Sequence, residues 1–305
     1  MNAVKTIPTL PLMPPEVPIG RVPPWSMDRL VHRACPVCGA DRAEGVCARP
    51  DRLVVSRCLE CGMVYLADIP DERDLSALYH DYSDYKQLSS GRGSWLYRLS
   101  PLKPAEPHIE ILLQSGGLRG RRLCEVGCAK GAFLVHARKE GAAVVGVELD
   151  ADSVRTLTEL GIAVEPEVQG EARFDVVCAF QLLEHLARPA EFIHKAARAL
   201  VAGGRLLLAL PNGGDAERVG PGWVGFRVDL EHLNYFSVAT LARLLGMHGL
   251  FVEQFWECQQ PNLPRGRSGA TRVGWGRRAQ EWLSGMMTPA WHRGGSFNLV
   301  VLARK

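Results

Sequence analysis

The sequence has no long apolar segment, and this sets the first limits on the protein. No run of apolar residues approaches the ~20 that a helix needs to cross a bilayer. The N-terminus also lacks a basic region followed by an apolar stretch and a cleavage site, which is the pattern of a secretory leader. We therefore expect a cytoplasmic protein that has no membrane partner.

An excess of charge of one sign is also missing. The 305 residues contain 36 Lys and Arg against 33 Asp and Glu, which gives a formal net charge of +3. This balance is too mild to indicate an electrostatic surface for nucleic acid, so we expect no nucleic-acid partner. The length and composition suit a globular chain with one large domain and one small one.

Cysteine, in contrast, is plentiful and patterned. Cys35 and Cys38 form one Cys-x-x-Cys-Gly knuckle, and Cys58 and Cys61 form a second one 19 residues further on. Four thiolates at this spacing suit a tetrahedral zinc ion, with free thiols and an iron site as the alternatives. All four positions would be filled by protein, so we expect the ion to be structural. Cys47, between the knuckles, is not expected to be a ligand.

Composition divides the chain into three parts. Residues 1–30 are rich in proline, which predicts an extended arm rather than a helix or an inner strand. Residues 31–90 carry the knuckles and then a predicted helix and a tyrosine-bearing loop, and we interpret them as a zinc-binding module. Residues 91–305 form the main domain, with a basic, tryptophan-containing insertion at 261–294.

Strands and helices alternate through the main domain. This alternation predicts an α/β fold with a mainly parallel sheet covered on both faces. The predicted strands are 121–128, 143–149, 162–165, 174–180, 205–211, 250–257 and 297–304. The predicted helices are 131–140, 151–160, 189–200 and 237–248.

A glycine-containing run, LCEVGCAKGAF, reads as a buried strand, a tight turn and the start of a helix. Gly127 and Gly131 would let the backbone approach a ligand, and the helix would offer its unpaired N-terminal amides. About twenty residues later Glu148 ends another apolar strand, where an acid can accept both hydroxyl protons of a ribose. The middle position is Ala129, which argues against a pyrophosphate ligand and for a smaller one.

A second run, FDVVCAFQLLEHLARPAEFIHKAARALVAGGRLLLALPN, extends from Phe174 to Asn212. An acid-headed strand, a Leu-Glu-His-Leu turn, a helix, a Gly-Gly turn and a strand ending in Pro-Asn follow in that order. The run resembles the segment after the cofactor motif in class I S-adenosylmethionine (SAM) methyltransferases. This resemblance implies a Rossmann-like seven-stranded sheet that ends in an antiparallel hairpin, with SAM as cofactor.

The resemblance also implies a cofactor site. Glu125 would lie near the methionine end, Glu148 would bind the ribose, and Gln181 and Leu182 would line the floor beneath the sulfonium. The remaining expected cofactor contacts are Gly127, Cys128, Gly131 and Leu149. For the adenine, Glu165 and the backbone near Val168 are candidates.

Histidine is the natural base for methyl transfer to a hydroxyl or to a carbon acid. Two Glu-His pairs fall in predicted loops, Glu184-His185 and Glu231-His232. The second pair resembles the Glu-His pair of zinc-module C-methyltransferases that act on nucleotide-linked deoxysugars, in which His185 also has a counterpart. Asp229 stands where those enzymes favour tyrosine, and the sequence ends at its last predicted strand where they continue. We assign catalysis to His232, Glu231 and His185, and these two departures weaken the case for a carbon acceptor.

The expected activity is SAM-dependent O-methylation of a small molecule, at a hydroxyl of a sugar or natural-product intermediate. Alternatives are C-methylation of a nucleotide-linked deoxysugar, an RNA methyltransferase that grips RNA through the zinc module, and a non-catalytic SAM-fold binding module. A divalent ion at Glu184 and His185 and purely structural roles for both histidines are also open. So is the oligomeric state, monomer or homodimer.

Aromatic residues surround the second Glu-His pair in the sequence. They are Trp223, Phe226, Tyr235 and Phe236. Two arrangements suit them: an apolar wall over an acceptor, or the core of a lid.

Overall fold

The computed structural model describes residues 22–80, 107–258 and 297–305. The first 21 residues of the proline-rich arm, the tyrosines Tyr82 and Tyr85 and the insertion 261–294 lie outside these ranges. Among the helices of the described ranges, none has the length and apolar character needed to cross a bilayer.

The secondary structure follows the predicted alternation. The strands are β1 Leu30–His32, β2 Ala43–Ala48, β3 Val54–Cys58, β4 Val64–Leu66, β5 Asp68–Pro70, β6 Arg122–Val126, β7 Ala143–Val147, β8 Ala163–Glu165, β9 Phe174–Phe180, β10 Leu200–Pro211, β11 Asn234–Tyr235, β12 Phe251–Cys258 and β13 Asn298–Arg304. The α-helices are α1 Glu72–His80, α2 Pro107–Gln114, α3 Ala132–Lys139, α4 Ala151–Glu159, α5 Pro189–Ala199, α6 Gly213–Val219, α7 Gly225–Val228 and α8 Val238–Gly246.

The larger sheet has seven strands in the order β12-β13-β10-β9-β6-β7-β8. Its central strands pair in parallel, whereas β13 runs antiparallel to both β10 and β12. The predicted Rossmann-like sheet with a terminal antiparallel hairpin is confirmed. Because parallel strands end at the same edge, the loops after β6, β7 and β9 meet at the carboxyl edge, where ligands bind in such sheets.

Apolar side chains cover both faces of this sheet. Val177 of β9 packs on one face with Ile193 and Leu244 of the helices. Its neighbour Cys178 lies on the other face, in the cluster that contains Leu134 and Leu157. Burial on both sides explains why β9 reads as an almost continuous apolar run.

Side-chain caps define where two of the helices begin. The Asp150 carboxylate accepts from the Ser153 amide at 2.8 Å at the start of α4. Ser237 and Thr240 form a reciprocal capping box at the start of α8. Such caps satisfy amides that have no partner within the helix, which is why polar residues at these positions mark helix starts.

Most predicted strand boundaries agree with the structure to within two residues, and the largest difference is at the start of β10. The strand predicted at 205–211 already begins at Leu200, with an irregular register against β9 between Leu200 and Arg205. Gly203 in this irregular segment has φ +73°, a conformation that glycine adopts without strain. The Gly-Gly pair therefore forms a bulge inside the strand rather than a turn that precedes it.

The cysteine-containing part of the chain, residues 30–70, forms a small sheet that we call the cysteine module. Strands β2, β3 and β4 pair antiparallel, and β11 from the C-terminal half of the chain adds to β4. In that added strand Asn234 is opposite Tyr65 and Tyr235 is opposite Val64. The small sheet is therefore built from segments far apart in the sequence.

Contacts with the cysteine module begin before the predicted boundary at residue 31. Trp25 is buried, and its indole Nε1 donates to the Asp51 carboxylate at 3.2 Å. Strand β1 begins at Leu30 and pairs with β5. Residues 22–30 consequently belong with the cysteine module, because a buried indole ties them to it.

Candidate functional site

The turn between β6 and α3 follows the path that its glycines were expected to allow. Gly127, Ala129 and Gly131 have φ values of +72°, +45° and +75°. A Cβ atom at Gly131 would lie 2.4 Å from the Leu157 side chain, so any other residue at this position would require Leu157 to shift. The Gly127 amide donates to the Val147 carbonyl at 2.9 Å, and the Gly131 amide donates to the Cys128 carbonyl at 2.9 Å. These two glycines thus shape the turn, while their own amides bond within the protein.

Glu148 is locked against this turn. Its carboxylate accepts from the amides of Ala129 at 2.8 Å, Leu149 at 2.7 Å and Asp150 at 3.0 Å. Leu149 beside it leaves 80% of its surface exposed, which is unusual for a large apolar side chain. The end of β7 therefore presents a fixed carboxylate and an open apolar surface side by side.

The loop after β9 reaches the same place. A Cβ atom on Gly127 would lie 3.4 Å from Leu182 Cδ1, so the Leu182 side chain packs over Gly127. Gln181 is exposed and has a left-handed backbone conformation with φ +50°. Its backbone amide donates a hydrogen bond to the Ala209 carbonyl at 2.7 Å. The structure thus brings together the predicted cofactor residues of three loops at the carboxyl edge.

Glu125 and Cys128 are placed deeper than these residues. Glu125, the last residue but one of β6, is 5% exposed and lies opposite Gly146 and Cys178 of the neighbouring strands. The Cys128 thiol points back into the core, because its Sγ lies 2.7 Å from where a Gly146 Cβ would be. Burial raises the pKa of this thiol to about 12. Cys128 can therefore contribute its backbone, but not its side chain, to a site at the edge.

Glu165, the acid suggested for adenine, is engaged elsewhere. The Arg173 guanidinium donates to both of its carboxylate oxygens, at 2.7 and 3.0 Å. This ion pair closes the short linker between β8 and β9. Glu165 consequently shapes the linker.

The two Glu-His pairs of the sequence lie side by side. The rings of His185 and His232 pack edge to face with centroids 4.7 Å apart. Ligand-type atoms of Glu184, His185 and His232 all lie within 4.8 Å of one another, and so do those of Asp229, Glu231 and His232. His232 belongs to both groups and is therefore the centre of the cluster.

The surroundings of this cluster determine its chemistry. Glu184 is 0% exposed, His185 6% and His232 3%. A buried imidazole among carboxylates can take up a proton and have the resulting cation stabilised, which is the arrangement of a general base. The same nitrogen and oxygen atoms could also hold a divalent cation.

Polar side chains that the sequence did not single out fix the two loops. The Asn234 side-chain amide donates to the carbonyls of Leu183 at 3.2 Å and Leu186 at 2.8 Å. Arg33 of the cysteine module donates to the carbonyls of Ala187 and Leu233, both at 2.8 Å. Asn234 could have been found from the sequence, because it is a polar residue two positions after the candidate base His232. The role of Arg33 depends on contacts across more than 150 residues, which no local pattern reveals.

The four cysteines of the knuckles meet at one point. Their sulfur atoms all lie within 4.8 Å of one another, with Cys35 and Cys61 at 3.5 Å and Cys38 and Cys58 at 3.6 Å. Burial raises the pKa of the Cys35 thiol to about 11. Cys47 is instead fully buried in a separate apolar cluster, which agrees with its expected exclusion from the ligand set.

Three of the four aromatic residues near His232 form a core. The rings of Trp223, Phe226 and Tyr235 pack edge to face with centroids between 4.9 and 5.6 Å apart, and each is at most 3% exposed. Phe236 is buried in the cluster that covers the main sheet. Of the two expected arrangements, the structure has the packed core and not an open wall over an acceptor.

Comparison with known proteins supports the interpretation of this edge. A family profile described as "Methyltransferase domain" matches residues 92–254, more than half of the chain. The chain is 29% identical over 150 residues to a protein named ubiquinone biosynthesis O-methyltransferase from Klebsiella pneumoniae. It is 30% identical over 130 residues to a protein of the same name from Alkalilimnicola ehrlichii. These matches cover 45% and 38% of this chain, and 58% and 51% of the relatives.

A solved structure has the same fold. The SAM-dependent methyltransferase from Mesorhizobium loti superposes with a TM-score of 0.50 at 17% identity, covering 67% of this chain and all of the other. The family match spans the glycine turn, Glu148 and both Glu-His pairs. The chain therefore belongs to the methyltransferase-domain family and has the Rossmann-like fold of the SAM-dependent enzymes.

Proposed function

We propose that the protein transfers a methyl group from SAM to a hydroxyl of a small molecule, a sugar or natural-product intermediate. The observation that carries this proposal is the buried cluster centred on His232, in which both Glu-His pairs meet. Leu182, which packs over Gly127, joins the loop of one pair to the glycine turn. O-methylation is favoured because the relatives described above are named O-methyltransferases.

The residues at the carboxyl edge fit SAM. Glu148 accepts two amide hydrogen bonds at Oε1 and one at Oε2, which leaves a lone pair on Oε2 for a ribose hydroxyl. The exposed Leu149 offers an apolar surface for the adenine, and Gln181 and Leu182 would lie under the methionine part. Glu125, near the end of β6, would balance the positive charge of the ammonium group of that methionine part.

When bound, SAM would supply an activated methyl group, because its sulfonium sulfur leaves as a neutral thioether. The task of the chain is then alignment and proton transfer. His232 would accept the acceptor's hydroxyl proton at a ring nitrogen as the methyl–oxygen bond forms. Glu231 and Glu184 would stabilise the resulting imidazolium, and His185 would hold the ring of His232 through their edge-to-face contact.

Two features weigh on the competing chemistries. C-methylation of a deoxysugar needs the same base, and Asp229 in the cluster departs from the tyrosine expected there. A divalent cation in the cluster would orient a diol instead of removing a proton. Both alternatives make predictions about product and metal requirement that differ from those of a metal-free base.

We also assign a structural zinc ion to the four knuckle cysteines. A tetrahedron with Zn–S bonds of about 2.3 Å has edges of about 3.8 Å, close to the 3.5 and 3.6 Å between the two sulfur pairs. Cys35, Cys38, Cys58 and Cys61 would hold the ion as thiolates. With all four positions filled by protein, the ion would stabilise a module too small to bury a core of its own.

The proposal is tested by incubating the zinc-loaded protein with SAM and a panel of hydroxylated acceptors. The panel contains nucleotide sugars, free sugars and phenols, and the readout is formation of the demethylated cofactor together with a methylated product. We expect methylation of an oxygen, full activity with a weak chelator of divalent ions present, and loss of turnover in His232→Ala. His194→Ala on α5, away from the cluster, is the matched control. A product methylated on carbon, or turnover that survives His232→Ala, would contradict the proposal.

A further inference from the structure

Arg49 of the cysteine module is buried beside the loop that carries His232. Arg49 follows β2 and is only 3% exposed, and its side chain forms an ion pair with Asp51, which is also buried. Burying a guanidinium is unfavourable unless every donor finds a partner. The positions of those partners therefore indicate what the residue does.

All five N–H donors of Arg49 are used. Nε donates to Asp51 Oδ1 at 3.1 Å, and one donor of Nη2 goes to Asp51 Oδ2. The other Nη2 donor goes to the Leu230 carbonyl at 2.5 Å. Nη1 donates to the His232 carbonyl at 2.6 Å and to the Tyr235 hydroxyl at 2.8 Å. Three of the five bonds thus go to residues 230–235, more than 180 positions away in the sequence.

Asp51, the ion-pair partner of Arg49, is itself held by further hydrogen bonds. Asp51 accepts from the Trp25 indole at 3.2 Å and from the Leu53 amide at 3.3 Å, in addition to Arg49. Burial raises the pKa of Tyr235 to about 12, so its hydroxyl stays protonated and also donates to the His232 carbonyl at 3.4 Å. The His232 carbonyl therefore accepts from two side chains, that of Arg49 and that of Tyr235, and Arg49 in turn holds the Tyr235 hydroxyl.

We propose that Arg49 is a positioning residue, which holds the backbone of His232 so that its imidazole meets the Glu184-His185 turn in a productive orientation. This inference rests on the proposed role of His232 as the base. It gives the cysteine module a function in methyl transfer: the module supplies the anchor for the catalytic loop. Arg33 and β11 also join the module to the same loop, and Arg49 is the module residue that donates to the His232 carbonyl.

The geometry explains why lysine cannot replace this arginine. An ammonium group has three donors at one point, whereas the planar fork of Arg49 spans Asp51, two carbonyls and a hydroxyl. Arg49→Lys keeps the charge next to Asp51 and removes the bonds to Leu230 and His232. Arg42→Lys is the matched control, because Arg42 is an exposed residue of the same module and pairs with Glu60.

The test uses the full zinc-loaded chain labelled with ¹³C and ¹⁵N in histidine. Ring resonances of His232 and His185 are assigned by substituting each in turn, and SAM affinity is measured by titration calorimetry. We expect Arg49→Lys to shift or broaden the His232 ring resonances and to speed amide exchange in residues 230–235, while SAM affinity stays within about twofold. With an acceptor from the panel, kcat should fall by roughly 10- to 100-fold, with an altered pH profile and an unchanged KM for SAM. Arg42→Lys should match the wild type in every readout.

The outcomes separate this inference from the proposed function. Unchanged His232 resonances and an unchanged kcat in a folded Arg49→Lys protein would overturn the positioning role and leave the base assignment intact. Failure of wild-type SAM binding, or activity in His232→Ala, would instead overturn the proposed function. If Arg49→Lys does not fold, Tyr235→Phe removes a single hydroxyl from the same network and should produce a smaller effect of the same kind; no effect in that variant would contradict the inference.

Discussion

At the scale of single residues, the carboxylate of Glu148 has the best-defined geometry in the proposed cofactor site. Three amides hold it in one orientation at the end of β7, so it needs no rearrangement to meet a ribose. A preset acceptor of this kind contributes affinity because little conformational freedom is lost on binding.

Replacing Glu148 by Ala should weaken SAM binding by about 1–3 kcal/mol, since ribose hydroxyls would lose their acceptor. Titration calorimetry measures the change, and Glu140→Ala on the surface after α3 serves as control. An affinity equal to that of the wild type would move the cofactor site away from this edge.

Single residues also show where sequence reasoning reached its limit. Both Glu-His pairs were identified from their motifs, and the structure brings them into one cluster. Sequence reasoning did not identify Arg49, because a single arginine before a proline has the pattern of an ordinary surface residue. Its partners lie more than 180 positions away, and only the three-dimensional fold reveals them.

At the scale of elements, the turn between β6 and α3 depends on glycine for two separate reasons. Gly131 is left-handed and faces Leu157, whereas Gly161 after α4 is also left-handed, with φ +65°, but has no atom within 4 Å of its Cβ position. A comparison of Gly131 with Gly161 therefore distinguishes the cost of backbone strain, which both positions share, from the cost of a steric clash, which only Gly131 has.

Gly131→Ala should lower the free energy of unfolding by about 1–3 kcal/mol more than Gly161→Ala does, because only the first inserts a methyl group into filled space. Urea unfolding followed by circular dichroism gives both values. Equal losses would mean that Leu157 moves aside freely.

The linker between β8 and β9 should respond to pH through Glu165. The hydrogen bonds from Arg173 lower the pKa of this carboxyl below its ordinary value of 4.5. The ion pair therefore contributes its full stabilisation of the folded state above the pKa that Glu165 has in the unfolded chain. This contribution is lost as the pH falls through the lower pKa that Glu165 has in the folded protein. The wild type should exceed Glu165→Gln in stability at about pH 6, and this advantage should shrink as the pH falls below 4.5.

Thermal unfolding at several pH values measures this difference. Asp152→Asn, at an exposed ion pair on α4, is the control and should show little pH-dependent difference from the wild type. A Glu165→Gln protein that tracks the wild type throughout would contradict a stabilising role for the ion pair.

The elements of the main sheet were predictable because local patterns define them. The apolar run of β9 and the helical periodicity of α5 gave bounds that agree with the structure to within a residue. The pairing of β4 with β11 was not predictable, since a two-residue strand has no periodicity and its partner lies some 170 positions earlier. The early start of β10 was missed because Gly-Gly signals a turn more often than a bulge.

At the scale of the whole molecule, the cysteine module and the main sheet form one structure. Cys35, Val37 and Tyr65 of the module belong to the same buried cluster as Val177 and Leu210 of the main sheet. Metal binding in the module should therefore affect the stability of the entire chain.

Removal of the metal with a strong chelator should lower the thermal midpoint by about 5–10 °C, since the binding free energy of a structural ion is folding free energy. Metal analysis should find one zinc per chain in the wild type and in Cys47→Ala, and none in Cys38→Ser. Full zinc retention in Cys38→Ser would contradict the four-cysteine site.

The account as a whole depends on SAM binding at the carboxyl edge of the main sheet. The most direct measurement is isothermal titration of the folded, zinc-loaded protein with SAM and, separately, with its demethylated product. The account predicts micromolar binding of both ligands at one site per chain. A folded, zinc-loaded protein that binds neither would contradict it and indicate that the fold serves as a non-catalytic binding module.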